Sequence, residues 1–242
     1  MTAAASVNIA ERLRAMAARR PDAAAMVFIK EGRTLTFREL DADCDRVAAG
    51  LKTHGVASGM RTAMMVRPGP DFFAAAFGLF RLGAVPVLID PGLGRKAFGR
   101  CLAEADPEAF IGVPLAHAAR LAFGWAPNVR HRVVVGPFGY PGAPTLDRVR
   151  ALAAPVPYEA APARANDTAA ILFTSGSTGT PKGAVYTHGN FAAQVELLRE
   201  RFGIEPGEVD LATFPLFGLF DPALGMTAVV PDMDFTRPGS VN

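Results

Sequence analysis

Apolar and polar residues in the first half of the chain alternate between short apolar runs and longer segments with apolar residues at helical spacing. The clearest helical segment carries one apolar face: Phe37, Leu40, Cys44, Val47 and Leu51. Thr36 and Glu39 form a capping-box pair at its start, and Gly55 is placed to end it. The same reading predicts strands at 24–29, 61–66, 84–89, 109–113 and 132–135, and further helices at 70–81, 95–104 and 116–123. This alternation predicts an α/β fold of mainly parallel sheets covered by helices.

The pattern changes between residues 136 and 165, where six prolines fall and only a short helical stretch interrupts them. Beyond this stretch, strands are predicted at 168–174, 183–187 and 209–214 and a helix at 190–202, while 219–230 fits either type. We therefore predict an α/β subdomain over 1–135, a Pro-rich connector over 136–165, and a second α/β subdomain over 166–242 that is incomplete at its C-terminal end.

Composition and charge exclude several classes of protein. Half of the 242 residues are apolar, which is enough for a sizeable core. The net charge of +2 is small, and no basic run is interleaved with aromatic residues, so nucleic acid is not an expected partner. Two cysteines, Cys44 and Cys101, do not suggest a disulfide scaffold, and a cytoplasmic setting is expected.

The longest apolar stretch covers residues 211–231 and raises the question of a membrane span. Asp221 lies at its middle and would cost roughly 3 kcal/mol in a bilayer. Three prolines also interrupt it. We therefore interpret this stretch as buried protein and expect no transmembrane segment.

The most informative segment is a loop rich in hydroxyl residues and glycine that directly follows the apolar run 169–173. It consists of Thr174, Ser175, Gly176, Ser177, Thr178, Gly179, Thr180, Pro181, Lys182 and Gly183. Glycines let backbone N–H groups converge on one point, hydroxyls donate to anionic oxygens, and Lys182 supplies a cation. Pro181 and Gly183 flank that lysine, unlike in the familiar phosphate loop that opens a helix. We predict a polyphosphate-binding loop between two strands; the alternative is a flexible Ser/Gly linker.

This loop resembles the signature of the adenylate-forming superfamily, which includes acyl-CoA synthetases, adenylation domains of nonribosomal peptide synthetases and luciferases. Three more segments are similar to the family pattern: 80–91 to its leucine-x-x-glycine-alanine segment, 187–190 to its threonine-histidine-x-asparagine, and 35–40 to an early helix start. The resemblance covers nearly the whole chain.

The resemblance implies a reaction in which a carboxylate attacks the α-phosphorus of ATP and gives an acyl-adenylate and pyrophosphate, with Mg²⁺ bound to the phosphates. It implies that the loop residues 174–180 and Lys182 hold the β- and γ-phosphates and offset the charge on the leaving pyrophosphate. The alternative for Lys182 is an ordinary surface lysine.

A second candidate site is the Phe-rich segment, residues 214–220. Relatives carry proline-leucine-phenylalanine-histidine near the acyl pocket, and here a glycine replaces the histidine. The residues expected to line an acyl pocket are Phe214, Phe217, Gly218 and Phe220. Replacing an imidazole by hydrogen is expected to open space for a bulky apolar acyl group. The alternative is the end of an ordinary buried strand.

Residues 214–238 resemble one branch of the superfamily most, the β-lactone synthetases of bacterial long-chain olefin biosynthesis. That resemblance implies activation of a long-chain β-hydroxy acid and closure of its acyl-adenylate to a β-lactone. Other enzymes of the olefin pathway are then expected partners. The alternatives are a long-chain acyl-CoA synthetase and a nucleotide-binding module without catalysis.

Several family motifs are not in this sequence: the tyrosine-glycine-x-threonine-glutamate segment, the ribose-binding aspartate and the domain with the catalytic lysine. No catalytic residue and no metal ligand is therefore assigned. We expect an N-terminal portion that needs the missing C-terminal part of the same enzyme and is inactive alone.

Overall fold

The computed structural model describes residues 6–90, 92–153, 157–174, 181–214 and 217–235. Its strands are β1 (Ala24–Phe28), β2 (Arg33–Thr36), β3 (Arg61–Met65), β4 (Val85–Ile89), β5 (Ala109–Gly112), β6 (His131–Val134), β7 (Thr168–Thr174), β8 (Lys182–Thr187), β9 (Val209–Leu211) and β10 (Thr227–Val230). Its helices are α1 (Ala10–Arg19), α2 (Phe37–Thr53), α3 (Pro70–Leu82), α4 (Arg95–Ala105), α5 (Pro114–Ala122), α6 (Leu146–Ala151), α7 (His188–Phe202) and α8 (Asp221–Leu224).

The strands form two sheets, one of six strands in the order β6-β5-β3-β4-β7-β8 and one of four in the order β2-β1-β10-β9. Within these sheets the β1–β2 and β7–β8 pairs are antiparallel, and the other pairs are parallel. The predicted α/β fold with mainly parallel sheets is confirmed. The parallel strands read as almost continuous apolar runs because helices cover them.

Helices α2 and α3 pack against one another and carry much of the core. Thr36 caps α2 with the predicted capping box, in which its side chain accepts from the backbone N–H of Glu39 and the Glu39 carboxylate accepts from that of Thr36. Pro70 opens α3, and Gly83 ends it with φ of 77°, a conformation that favours glycine. Residues 72–82 of α3 are all buried, and all of them are apolar or glycine except Arg81, which is paired with Asp41 and Asp45.

Both sheets contain strands from the two sides of the Pro-rich connector. Strand β7 pairs with β4, and β10 pairs with β1, so the predicted division at 136–165 runs along the chain and does not separate the sheets. Whether 1–135 and 166–242 behave as separate subdomains stays a prediction. The connector holds α6, which Arg150 ties to α2 and α3 by bonds to Asp43 and Asp71 of 3.0 and 2.7 Å.

Three local differences from the sequence prediction have physical reasons. Strand β2 was not predicted, and it forms by antiparallel pairing with β1. Strand β9 ends at Leu211 rather than at residue 214, since its pairing with β10 stops there. The ambiguous stretch 219–230 divides into the end of a 3₁₀ turn at Phe217–Leu219, helix α8 and strand β10. In the parts of the chain that are described, no helix is long and apolar enough to cross a membrane.

Candidate functional site

The carboxyl ends of β3, β4 and β7 meet at one edge of the six-stranded sheet, because these neighbouring strands run parallel. Thr174 ends β7 at this edge, and Asp90 follows β4. The backbone N–H of Asp90 donates to the carbonyl of Phe173 at 3.2 Å, which places this exposed residue next to the start of the predicted phosphate loop. In open α/β sheets, ligands bind in the crevice outside the carboxyl ends of the strands.

The two ends of the predicted phosphate loop face one another across an antiparallel pair. Thr174 of β7 and Lys182 of β8 are register partners, and both are exposed. The prediction that the loop leads into a strand rather than a helix is confirmed, although the strand begins at Lys182 and not at Gly183 as predicted. The remaining predicted phosphate ligands lie outside the described residues: Ser175, Gly176, Ser177, Thr178, Gly179 and Thr180. The described ends therefore offer one hydroxyl and one ammonium group at the same edge of the sheet.

Gly183, the last residue of the loop motif, is in close contact with its cross-strand partner Phe173. A Cβ atom at position 183 would lie 2.8 Å from Cζ of Phe173 and 2.9 Å from Cε1. That ring is 3% exposed and belongs to a small cluster with Val87, Cys101 and Ala105. The glycine thus lets the aromatic ring close over the strand directly beside Lys182.

The Thr-His-Gly-Asn segment at 187–190 has a structural role at the start of α7. Thr187 and Asn190 form a second capping box. The backbone N–H of Ile9 donates to Nδ1 of the buried His188 at 3.2 Å, which ties α1 to α7. Burial lowers the pKa of His188, and Asp167 opposes this shift. Because Nδ1 accepts a hydrogen bond, the imidazole is neutral here.

The structure separates the residues that were predicted to line an acyl pocket. Phe214 and Phe217 contact each other with ring centroids 5.3 Å apart and are 49% and 64% exposed. Phe220 instead packs edge-on against Phe191 of α7 at 5.7 Å. Phe191 in turn stacks on Tyr186 of β8 at 5.4 Å, so an aromatic chain links the Phe-rich segment to the strand that begins with Lys182.

Gly218 is buried, and the space next to it is filled. A Cβ atom there would lie 3.2 Å from Cβ of Ala212 and 3.3 Å from Cζ of Phe73. These contacts show no open space at Gly218 itself, and the expectation that it makes room for an acyl group stays a prediction. The missing side chain instead allows the 3₁₀ turn to approach α3 closely.

Within the described ranges, no group of three or more His, Cys, Asp or Glu side chains could hold a metal ion. Thr174, Lys182 and Asp90 offer a hydroxyl, an ammonium and a carboxylate beside the loop, and Oδ1 of Asp90 already accepts from the N–H of Gly92 at 2.8 Å. A divalent cation requires several oxygen ligands. These residues by themselves do not fit the Mg²⁺ that the resemblance implies.

Two features of the site escaped sequence reasoning. Asp90 lies within a segment that resembles the family pattern, but it was not singled out as a site residue. The contact of Ile9 with His188 joins residues far apart in the chain. A signal for Asp90 did exist, since it directly follows a predicted parallel strand, and polar residues at that position collect at the ligand-binding edge.

Comparison with known proteins gives a consistent family. The model of the AMP-binding enzyme family matches residues 13–230. An olefin beta-lactone synthetase from Stenotrophomonas maltophilia is 52% identical over 248 residues, and one from Xanthomonas campestris pv. campestris is 51% identical over 245 residues. Each alignment covers 97% of this chain, which spans only 44% of the length of either relative. The crystal structure of the anthranilate CoA ligase AuaEII with anthranoyl-AMP has the same fold, with a TM-score of 0.83 and 21% identity over 96% of this chain and 46% of that one.

Proposed function

The chain belongs to the AMP-binding enzyme family, and from that premise we propose that it is part of an enzyme that activates a long-chain β-hydroxy acid with ATP and converts it to a β-lactone. The carboxylate oxygen bonds to the α-phosphorus while the bond to the β-phosphate breaks, and pyrophosphate leaves. The β-hydroxyl oxygen then attacks the acyl carbon, AMP departs and the hydroxyl proton is released. The proposal of a β-lactone product is supported by sequence identity above 50% to two olefin beta-lactone synthetases over nearly the whole chain.

On the nucleotide side, the proposed roles fall on the loop between β7 and β8. Thr174 donates its hydroxyl to a phosphate oxygen, and Lys182 offsets charge that develops on the leaving pyrophosphate. Residues 175–180 contribute further hydroxyl and backbone donors in this proposal. It is supported by the register that sets the exposed Thr174 and Lys182 opposite one another at the carboxyl edge of the sheet.

On the acyl side, the exposed pair Phe214 and Phe217 is the proposed contact for the alkyl chain. Two neighbouring aromatic rings offer a large apolar surface, which suits a long-chain acid. Gly218 packs close to Phe73 and Phe220 packs on Phe191, so a direct contact with the alkyl chain is proposed for Phe214 and Phe217 alone. The exclusion of water by such a surface would protect the acyl-adenylate from hydrolysis.

Ring closure is favoured by proximity. A β-hydroxyl held against its own acyl-adenylate attacks intramolecularly, and well-oriented reactions of this kind reach effective molarities on the order of 10⁵ M or more. We propose that the chain works together with the remaining part of the longer enzyme and with other enzymes of olefin biosynthesis. We also propose a cytoplasmic setting, in keeping with two free, buried cysteines.

The test is to incubate the full-length enzyme with a long-chain β-hydroxy acid, ATP and Mg²⁺, with and without coenzyme A. The expected products are a β-lactone, AMP and pyrophosphate in both mixtures. A product that forms only with coenzyme A and carries a thioester would show an acyl-CoA synthetase instead. Nucleotide binding without release of pyrophosphate would show a binding module.

Replacing Lys182 by alanine tests the nucleotide side of the proposal. A charge-assisted contact to phosphate contributes roughly 1.5–3 kcal/mol, so Lys182→Ala is expected to slow ATP–pyrophosphate exchange by about 10- to 100-fold. Binding of the acid, measured separately, is expected to change little. The matched control is Lys52→Ala, which removes a lysine that lies over the ring of Tyr158 at the far end of α2. Exchange at the wild-type rate in Lys182→Ala would remove this lysine from the site.

A further inference from the structure

Two aspartates flank the Phe-rich segment on either side. Asp210 lies in β9, four residues before the segment, and Asp221 is the first residue of α8, directly after it. Strand β9 is held by parallel pairing with β10, in which Asp210 is the register partner of Ala228. Helix α8 is held by backbone bonds from Leu224 to Phe220 and from Met226 to Asp221, at 3.0 and 2.9 Å. Both aspartates therefore lie on elements that backbone hydrogen bonds hold in place.

The carboxyl group of Asp221 is buried and short of hydrogen-bond donors. The residue is 5% exposed, and its Oδ2 has no hydrogen-bond partner among the described residues. The carboxyl of Asp210 lies within hydrogen-bond reach. Burial, together with the charge and the hydrogen bond of Asp210, raises the pKa of Asp221 to about 7. Two carboxyl groups so placed cannot both ionise cheaply.

Several charged or titratable side chains on the elements packed against α8 are engaged elsewhere. Strands β1 and β10 and the 3₁₀ turn carry no charged residue. From the end of α1, Arg20 donates to the carbonyl of Gly225 at 2.9 Å, at the opposite end of α8 from Asp221. Between α1 and α7, Arg12 pairs with Glu196 at 2.6 Å. His188 at the start of α7 accepts from Ile9.

We propose that Asp210 and Asp221 share one proton, and that the resulting acid–carboxylate hydrogen bond, a clasp between β9 and α8, positions Phe214 and Phe217 in a pH-dependent way. The consequence for substrate rests on the function proposed above. If Phe214 and Phe217 contact the acyl chain, the clasp positions the acyl site. Loss of the clasp then raises the KM for the acid and leaves the KM for ATP unchanged.

The direction of the pH effect follows from proton linkage. When the clasp opens, Asp221 regains its ordinary pKa of 3.8, while in the closed form its pKa is about 7. The open form therefore ionises first as pH rises, so the closed form becomes less favoured between pH 4 and pH 7 and changes no further above about pH 7. Opening is expected to increase about tenfold per pH unit within that window.

Hydrogen exchange on the full-length enzyme measures this opening without substrate. Protection factors of the Leu224, Gly225 and Met226 amides, corrected for intrinsic exchange, are expected to fall about tenfold per unit from pH 5 to pH 7 and to level off above that. Asp221→Asn places an amide donor where the proton was and is expected to keep protection constant with pH. Asp22→Asn is the matched control, since it neutralises a carboxylate that is 83% exposed, and it should behave as wild type.

Wild-type protection that does not depend on pH, or the same dependence in Asp221→Asn, would overturn the clasp. Should Asp221→Asn not fold, ¹³C-carboxyl NMR of the wild type decides. One aspartate titrating near neutral pH supports the shared proton, and titration of all aspartates near pH 4 refutes it. The KM for the acid should rise towards pH 7 in wild type but not in Asp221→Asn, with the KM for ATP unaffected. If the enzyme forms no acyl-adenylate, the proposed function is refuted. The clasp is then decided by the hydrogen-exchange and NMR results alone, because they need no substrate.

Discussion

The variant Gly183→Ala tests whether close packing against Phe173 is the reason for a glycine at this position of the loop motif. The added Cβ would lie 2.8 Å from Cζ of Phe173, and real Cβ contacts are almost never shorter than 3.0 Å. Phe173 is 3% exposed and packed among Val87, Cys101 and Ala105, so its ring cannot swing away into solvent. Something in this cluster must move to accept the methyl group.

Two opposing effects set the size of the change. Alanine in place of a strand glycine stabilises by roughly 0.5–1 kcal/mol, because less conformational freedom is lost on folding. Overpacking a filled core costs about 1–3 kcal/mol. The clash is therefore expected to win, with a net loss of about 0.5–2 kcal/mol, which corresponds to a few degrees in the thermal midpoint.

The assay is thermal unfolding of the full-length protein for wild type, Gly183→Ala, Phe173→Leu and the double variant. Leucine at position 173 lacks the ring atoms that a Cβ at position 183 would meet, so Gly183→Ala is expected to be neutral or stabilising in that background. The double variant should then be more stable than the sum of the two single changes predicts, which measures the coupling free energy between positions 173 and 183. A Gly183→Ala variant as stable as wild type, or a loss of the same size in both backgrounds, would refute the packing explanation.

Two further predictions concern the core. Gly218→Ala is expected to lower the free energy of unfolding by about 1 kcal/mol, and Gly218→His by more, because Phe73 and Ala212 lie close to this glycine. Unfolding in urea measures the change, and a histidine variant as stable as wild type would show that the space is open. Arg81→Met is expected to cost about 3 kcal/mol in the same assay, because Arg81 is fully buried and bonded to Asp41 and Asp45 at 2.5 and 2.6 Å. The control is Arg38→Met in the exposed pair of Arg38 and Asp22, which should lower the free energy of unfolding by less than about 1 kcal/mol. Equal losses of stability in the two variants would contradict the importance of burial.

Local patterns in the sequence determined much of the fold and the outline of the nucleotide site. The capping boxes at Thr36 and Thr187, the glycine that ends α3 and the strands on either side of the loop depend on residues near one another in the chain. For the same reason, local pattern sufficed to predict that the loop leads into a strand and not a helix, although the strand begins one residue earlier than predicted. The exchange of the family histidine for Gly218 was also visible in the sequence, but its consequence was not.

Tertiary structure decided the features that join distant residues. Strand β10 lies beside β1, about two hundred residues earlier, and only this pairing carries α8 and Asp221 towards β9 and Asp210. Phe73 fills the space next to Gly218, and Phe191 draws Phe220 away from the exposed pair Phe214 and Phe217. A one-dimensional pattern shows which side chains are apolar or charged. Which of them meet depends on packing between elements whose order in space differs from their order in the chain.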